Sequence, residues 1–313
     1  MVMEVKISSL VDDKYCYEAI RGMRWPDGVK CPHCCSSCII KHGVDDRQSH
    51  RQRYECKSCC KRFDDLTNTV FSGHHQPLKT WIICLYFMGL NLSNAQISQE
   101  LGLNNSDTHE MTSILRQETI ERKPSVVLSG EVECDEVYVV AGHKGNLEAV
   151  KKKNRKGRRN RLRGSSGRGT MEKEKPPIFG LIQRGGQIAL HVLENVRKKT
   201  IEPIIKSGIA LGTLVNTDEY CIYSSISLWG YIHKTVCHGK GEYARDEDCD
   251  GFCEIHVNTI EGAWSLLRSW LRPHRGISQE KLPIYVGFFE YIYNTKKRGK
   301  SLLSSLVGLL VKP

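Results

Sequence analysis

The residues best suited to chemistry in this 313-residue sequence are acids and cysteines. Asp135 lies in the stretch Glu131-Val-Glu-Cys-Asp-Glu-Val-Tyr138, whose neighbours Val132, Cys134, Val137 and Val139 suit a central strand. Glu131, Glu133 and Asp135 alternate and so share one face. Like charges this dense raise one another's pKa unless a cation neutralises them, and bound divalent metal is the natural remedy. The alternative is an edge strand with a solvated acidic face. Asp218 follows the apolar run Leu211 to Asn216. The carboxyl end of a buried α/β strand is where such sheets bind ligands; the alternative there is a helix N-cap. Asn258 and Glu261 stand three apart on one helical face, with Arg268 two turns beyond Glu261. Two Asp and one Glu drawn from a strand, a later strand and a late helix suit two Mg²⁺ ions, with Mn²⁺ as a substitute. Such a pair clamps both sides of an in-line phosphoryl displacement. Water as nucleophile gives strand cleavage, and a DNA 3′-hydroxyl gives strand joining.

The cysteines point to a second metal. Cys31-Pro-His-Cys34 and Cys56-Lys-Ser-Cys59 are two CxxC knuckles separated by 21 residues. That spacing predicts four thiolates around one structural Zn²⁺, with no ligand position left open for catalysis. Tyr54 and Phe63 flank the second knuckle and can cover the site. Cys35 and Cys60 directly follow the knuckles, where Gly is usual, and read as replacements for it; Cys38 could compete with Cys34.

The elements that must position these groups follow from pattern. The chain divides into a zinc-ribbon DNA-binding domain (1–70), a helical segment (71–124), an α/β domain (125–300) with a basic insertion (151–168), and a short apolar C-terminal tail (301–313) that reads as a packed helix from Ser301 to Val311. In the helical segment Pro77 opens a helix to about Gly89. Ser93 and Gln96 have capping-box spacing, Gly102 ends the next helix, and Ser106 can cap a third. A short helix, a Gly turn and a second helix resemble a helix-turn-helix; the alternative is a small helical linker bundle. Beyond it the pattern predicts a strand from Val132 to Val140. A hairpin turns at Arg184-Gly185-Gly186-Gln187, and a helix covers Lys199 to Ser207. A buried strand from Leu211, a helix from Glu219 to Leu228, a strand from Tyr231 and an amphipathic helix from Asn258 to Leu271 complete it. This is the order of an RNase H-like α/β fold.

Composition narrows the class. Lys and Arg outnumber Asp and Glu by 46 to 35, which favours a polyanionic partner. The insertion contributes Lys151, Lys152, Lys153, Arg155, Lys156, Arg158 and Arg159, too charged to pack, and reads as a loop that neutralises DNA phosphates. A solubilising loop is the alternative. The first ten residues lack an apolar signal core, and no apolar run approaches the roughly 20 residues of a membrane span. The 14 Cys are therefore expected as metal ligands or buried thiols in a reducing compartment.

Taken together, the CPHC and CKSC knuckles, FDDLTNTVFSGHHQPLKTW (63–81), GEVECDEVY, TDEY and HVNTIEGAWSLLR resemble the ISXO-type insertion-sequence transposases and their eukaryotic relatives, the Merlin transposases. The resemblance covers most of the chain. It implies an RNase H-like catalytic domain, Mg²⁺, and cut-and-join chemistry at terminal inverted repeats. Asp135 and Asp218 match the two family Asp, Glu261 the Glu, and Arg268 the basic residue after it, suited to grip a phosphate. Some members are described with Asn as the third residue, and Asn258 stands at that place. Glu261 is favoured, since a charged carboxylate binds Mg²⁺ better than an amide. His256, in the same block, could support a ligand or assist at the DNA end. A homodimer or larger synaptic assembly on double-stranded DNA is also implied, in the cytoplasm of a prokaryote or the nucleus of a eukaryote. Two competing readings are a non-catalytic zinc-ribbon DNA-binding regulator and a stand-alone hydrolase that cuts and stops.

Overall fold

A computed structural model describes residues 11–152 and 168–312, which fall into two compact units. One holds the described residues up to Lys123 together with those from Lys300 onward; the other runs from Pro124 to Gly299.

The first unit opens with helix α1 (Asp13–Arg24), capped by the Asp12 side chain, which accepts from Lys14 N. Strands β1 (Ile39–Val44), β2 (Gln52–Cys56) and β3 (Arg62–Asp64) form an antiparallel ribbon in that order. Its core is small: Tyr54 stacks on Phe63 at 5.2 Å, with Trp25 edge-on to both. Asp65 is fully buried and accepts both Arg21 N–H groups at 2.9 Å, tying α1 to the ribbon. Asp64 holds the following turn through Leu66 N and Thr67 N. The FDDLT stretch is thus a structural corner. Helices α2 (Leu78–Gly89), α3 (Asn94–Leu101) and α4 (Asn105–Arg122) follow. The Ser93–Gln96 capping box forms, and Gly102 ends α3 at φ +64. The cap of α4 is Asn104, not Ser106: its side chain accepts from Asp107 N at 2.7 Å, and Ser106 lies inside the helix.

In the second unit β4 (Glu131–Tyr138) is followed by the short helix α5 (Leu147–Lys152), strands β5 (Pro177–Gln183) and β6 (Ile188–Val192), and helix α6 (Lys198–Gly208). Lys151 and Lys152 therefore end a helix rather than begin a loop; Asn146 Oδ1 accepts from Ala149 N in its first turn. Both are exposed, whereas Lys153, Arg155, Lys156, Arg158 and Arg159 lie outside the described residues. Next come β7 (Leu214–Thr217), β8 (Ile232–Thr235), the two-residue strands β9 (Ala244–Arg245) and β10 (Ile255–His256), and helices α7 (Asn258–Leu271) and α8 (Leu282–Lys297). Between β7 and β8 the expected helix is two short 3-10 turns, Cys221–Ser225 and Ser227–Trp229. The five-stranded sheet has the order β6-β5-β4-β7-β8, antiparallel across β4–β5–β6 and parallel across β4–β7–β8. Its two faces bury separate cores: α7 and α8 cover one through Ile260, Trp264 and Phe289, while α6 and the 3-10 turns cover the other through Ile201, Ile205 and Tyr223. This α/β layout is RNase H-like.

The chain then returns to the first unit as α9 (Leu302–Leu310), which packs against α1, α2 and α4, with Leu302 and Leu306 seated on Gly89. The packed C-terminal helix expected from Ser301 to Val311 is thus present, and it belongs to the first unit. Among the described residues no helix is long and apolar enough to cross a membrane.

Helix α8, which the pattern reading passed over, closes the edge of the sheet. Asn294 pairs with both backbone groups of Ile188 at 2.8 Å, and Glu290 accepts from Leu190 N at 3.0 Å. Side chains thereby stand in for a further strand beside β6. Asn294→Leu strands the Ile188 N–H and C=O in an apolar setting, and we expect a loss of about 2–4 kcal/mol in urea unfolding. A loss below about 0.5 kcal/mol would show that these bonds are dispensable.

Candidate active site

The placement of the carboxylates begins with how α7 lies on β4. Glu133, fully buried, accepts from Ile260 N at 2.9 Å and from the Thr259 hydroxyl at 2.8 Å. Two residues along the strand, Asp135 accepts from Trp264 Nε1 at 2.8 Å. Two strand residues advance about 6.6 Å and four helical residues about 6 Å, so strand and helix keep step. Opposite Asp135 on β5 stands Gly180, where a Cβ would come within 2.4 Å of the Trp264 ring. Glycine is what lets the indole reach the strand.

Asp218 enters from the neighbouring strand. The parallel register pairs Glu133 with Asn216, so two residues further on Asp135 and Asp218 stand level and on the same face. Asp218 Oδ1 accepts from Tyr220 N at 3.0 Å, which fixes the turn after β7. Neither Asp forms an ion pair with another described residue. Burial is the main cause that lifts both carboxyls: Asp135 rises to about 7, and Asp218 rises as well. Glu136, next in the chain, also sits above the usual range, chiefly through burial, and accepts from the Tyr223 hydroxyl at 2.6 Å.

The acidic face of β4 is compensated differently from the sequence expectation. Divalent metal was the expected remedy for Glu131, Glu133 and Asp135 together. The structure gives Glu131 and Glu133 to Arg184 of the β5–β6 turn, which also donates to the backbone carbonyls of Glu254 and His256. Asp135 alone of the three is left for a cation. Glu219 is likewise spoken for: it accepts from His238 N and Gly239 N at 2.9 Å. His256 Nδ1 lies 3.3 Å from Glu133 Oε1, and burial lowers its pKa.

Helix α7 carries Asn258, Glu261 and Arg268, all exposed. Asp135, Asp218 and Glu261 do not draw their oxygens within 4.8 Å of one another; among the described residues Asp246, Asp248 and Glu254 do. Sequence reasoning missed this last group, and it missed Trp264 and Arg184 as partners of the acids. The signal for Trp264 was available: it lies three residues after Glu261, on the side of α7 that packs on the sheet. Asp135 and Asp218, half-buried carboxylates side by side on parallel neighbours and without an ion pair to another described residue, suit a hard divalent cation such as Mg²⁺.

The cysteine centre forms as the spacing requires. The sulfurs of Cys31, Cys34, Cys56 and Cys59 lie within 4.8 Å of one another, with Cys31–Cys59 at 3.7 Å and Cys34–Cys56 at 3.5 Å. Four thiolates about 2.3 Å from one tetrahedral ion stand about 3.8 Å apart, so the group fits Zn²⁺. Cys35 and Cys60 adopt φ +60 and +55, the left-handed region that follows each knuckle. Their Gly-like role is met here by the less suitable side chain. Cys38 is exposed and stands outside the cluster.

With this geometry in hand, the comparisons with known proteins are specific. The chain joins a zinc-ribbon module to an RNase H-like domain. Residues 127–294 match the ISXO2-like transposase domain, and residues 11–62 match the transposase zinc-ribbon domain. The chain belongs to the ISXO2-like transposase family. It is 30% identical, over 96% of its length and 98% of the relative's, to "Uncharacterized protein in transposable element ISH50" of Halobacterium salinarum. It is 27% identical, over 38% of its length and 94% of the relative's, to an "Uncharacterized transposase-like protein" of Haemophilus influenzae. Among solved structures it is similar to a pre-cleavage Mos1 transpososome, at 10% identity and TM-score 0.26, covering 77% of this chain and 80% of that one. A simian T-cell lymphotropic virus intasome matches at 9% identity and TM-score 0.28, covering 66% of each chain.

Two outcomes follow from the site. A carboxyl lifted to about 7 binds more protons folded than unfolded, so stability is lost as pH rises from about 4 through 7. Zinc-loaded protein without added Mg²⁺ should therefore lose Tm across that window. Asp135→Asn should flatten the loss and melt above wild type at pH 8; an equal or lower Tm would contradict the buried, unpaired carboxylate. Cys35→Gly and Cys60→Gly should each stabilise the ribbon by about 0.5–1 kcal/mol, by relieving the left-handed backbone. Guanidinium unfolding of the zinc-loaded chain checks this, and a destabilised variant would assign those cysteines another role.

Proposed function

We propose that this protein is a DNA transposase that binds the terminal inverted repeats of its own element and cuts and joins DNA strands. The observation that carries the reading is the level placement of Asp135 and Asp218 on parallel neighbouring strands, beneath the helix that bears Glu261. These three residues would hold two Mg²⁺ ions. When bound, the ions would supply Lewis-acid stabilisation to the attacking and leaving oxygens of a phosphodiester. Trp264 occupies one Asp135 oxygen and thereby orients the other. Arg184 and the first turn of α7 neutralise Glu133, so that α7 can begin beside β4.

The axial register also bears on the third residue. At about 1.5 Å per residue, Glu261 lies about 4.5 Å along the helix from Trp264, the residue level with Asp135; Asn258 lies about 9 Å away. Glu261 is thus the nearer partner for Asp135. Arg268 stands about 6 Å past Trp264 in the other direction, placed for a DNA phosphate rather than for metal. The zinc ribbon, the α3–α4 pair and the basic insertion, including Lys151 and Lys152, supply the DNA contacts. The functional species is a homodimer or larger assembly that brings two ends together, acting wherever the element's DNA resides.

The test uses purified protein, Mg²⁺ and labelled DNA carrying the element's ends. Wild type should cleave at the ends and join them to target DNA. Asp135→Ala, Asp218→Ala and Glu261→Ala should each lose at least about 10³-fold, while Asn258→Ala keeps most activity. An active Glu261→Ala beside a dead Asn258→Ala would transfer the third role to Asn258. Wild type that binds the ends yet neither cuts nor joins, with Mg²⁺ or Mn²⁺, would make the protein a DNA-binding regulator.

A further inference from the structure

Two groups beside the carboxylates have no part in the chemistry so far. Glu136 follows Asp135, its side chain is 4% exposed, and the Tyr223 hydroxyl donates to its Oε2 at 2.6 Å. Arg168, the last residue of the basic insertion, lays its guanidinium 3.3 Å over the Tyr220 ring. Its Nε stands 3.9 Å from Glu136 Oε1. Tyr220 is the residue whose N–H holds Asp218. A buried acid, a stacked tyrosine and an arginine thus converge on the same turn as Asp218.

The geometry defines what Arg168 is free to do. Stacking fixes the plane of the guanidinium. A separation of 3.9 Å is too long for a hydrogen bond, so Glu136 holds the cation by charge, and no N–H donor of Arg168 is committed to a described residue. The Arg168 side chain is 54% exposed, open to an incoming ligand. A site built from acids repels the polyanion it must admit, and some cation has to offset that. Arg184 cannot, because its donors are taken by Glu131, Glu133 and two backbone carbonyls. Arg268 belongs to α7, which packs in the other core from Tyr220 and Tyr223.

We propose that Arg168 is a phosphate-binding residue of this site, donating to a non-bridging oxygen of a DNA phosphodiester beside Asp218, with Tyr220, Glu136 and Tyr223 as the positioning residues that hold it there. The identity of the substrate rests on the transposase reading; the phosphate contact is tested apart from it. Arg168→Ala, Arg168→Lys and Tyr220→Ala are compared with wild type as full zinc-loaded chains. Binding to duplex DNA carrying the element's end is measured against KCl concentration. Losing one phosphate contact should make the slope of log K against log salt shallower by about 0.9 in Arg168→Ala, while Arg168→Lys keeps it. Joining at saturating Mg²⁺ should fall about 10²–10³-fold in Arg168→Ala and less in Arg168→Lys, which retains the charge but not the planar fork. Tyr220→Ala should keep the slope and lose part of the joining rate, because the guanidinium stays but is no longer oriented. An unchanged slope in Arg168→Ala overturns the assignment whatever the joining rate. Wild type that binds but does not join overturns the transposase reading, and the slope still decides Arg168.

Discussion

A carboxylate in the middle of a covered sheet must be compensated or it will protonate, and β4 carries three acids on one face. Glu133 has no exposure at all. It persists because Arg184 and the N-terminus of α7 meet it from two sides. Removing either partner would leave a buried charge, at a cost of about 3–5 kcal/mol. That requirement decides where α7 begins. Once Ile260 N is bound to Glu133, the matched rise of helix and strand brings Trp264 to Asp135 without further choice. Gly180 then follows, since no side chain fits between Asp135's neighbour strand and the indole.

The same logic separates structural acids from reactive ones. Glu131, Glu133 and Glu219 each have a compensating donor from elsewhere in the chain: Arg184 for the first two, backbone N–H groups for the third. Asp135 and Asp218 receive hydrogen bonds from neutral donors alone and stay destabilised as anions. Acidic density alone would have marked all five. What distinguishes the two is that burial lifts them and no cation within hydrogen-bond reach answers them, a property of the fold rather than of the segment.

This difference explains what was legible in the sequence. The CxxC knuckles could be read because two of their ligands sit within one turn and need little from elsewhere. The helix caps at Ser93 and Gly102 were equally local. Asp135 was legible because acids alternate with apolar residues along its strand, and Asp218 because an apolar run ends just before it. Arg184, the partner of Glu133, was not: it sits 51 residues along the chain, in a turn whose Gly pair signalled only a hairpin. Helix α8 escaped because it is buried on nearly every side, so it shows no apolar stripe; its polar residues Glu290 and Asn294 face inward, to a strand edge. The cap of α4 was misplaced by two residues because Asn104 and Ser106 are both good caps, and only the backbone tells them apart.

Charge distribution adds a constraint on how the first unit would use its helix-turn-helix shape. Between Lys79 and Arg116 the sequence has no Lys or Arg, and Arg116 is buried. Helix α3 and the first three turns of α4 therefore present Asn, Ser, His and Glu to solvent; the one partly exposed cation of the pair is Arg122 at the end of α4, and it is paired with Glu118. The ribbon shows the opposite pattern, with Lys30, Lys41, Arg47, Lys57, Lys61 and Arg62 all exposed. Phosphate contacts fix register, while polar contacts to base edges carry sequence. On the proposed reading the two halves of the unit divide that work: the zinc ribbon supplies salt-sensitive affinity, and α4 supplies discrimination at little electrostatic gain. A helix pair so poor in free cations gains little affinity for DNA by itself. Its cap, turn and buried Thr and Arg residues are then explained as the means of keeping one face of α4 rigid.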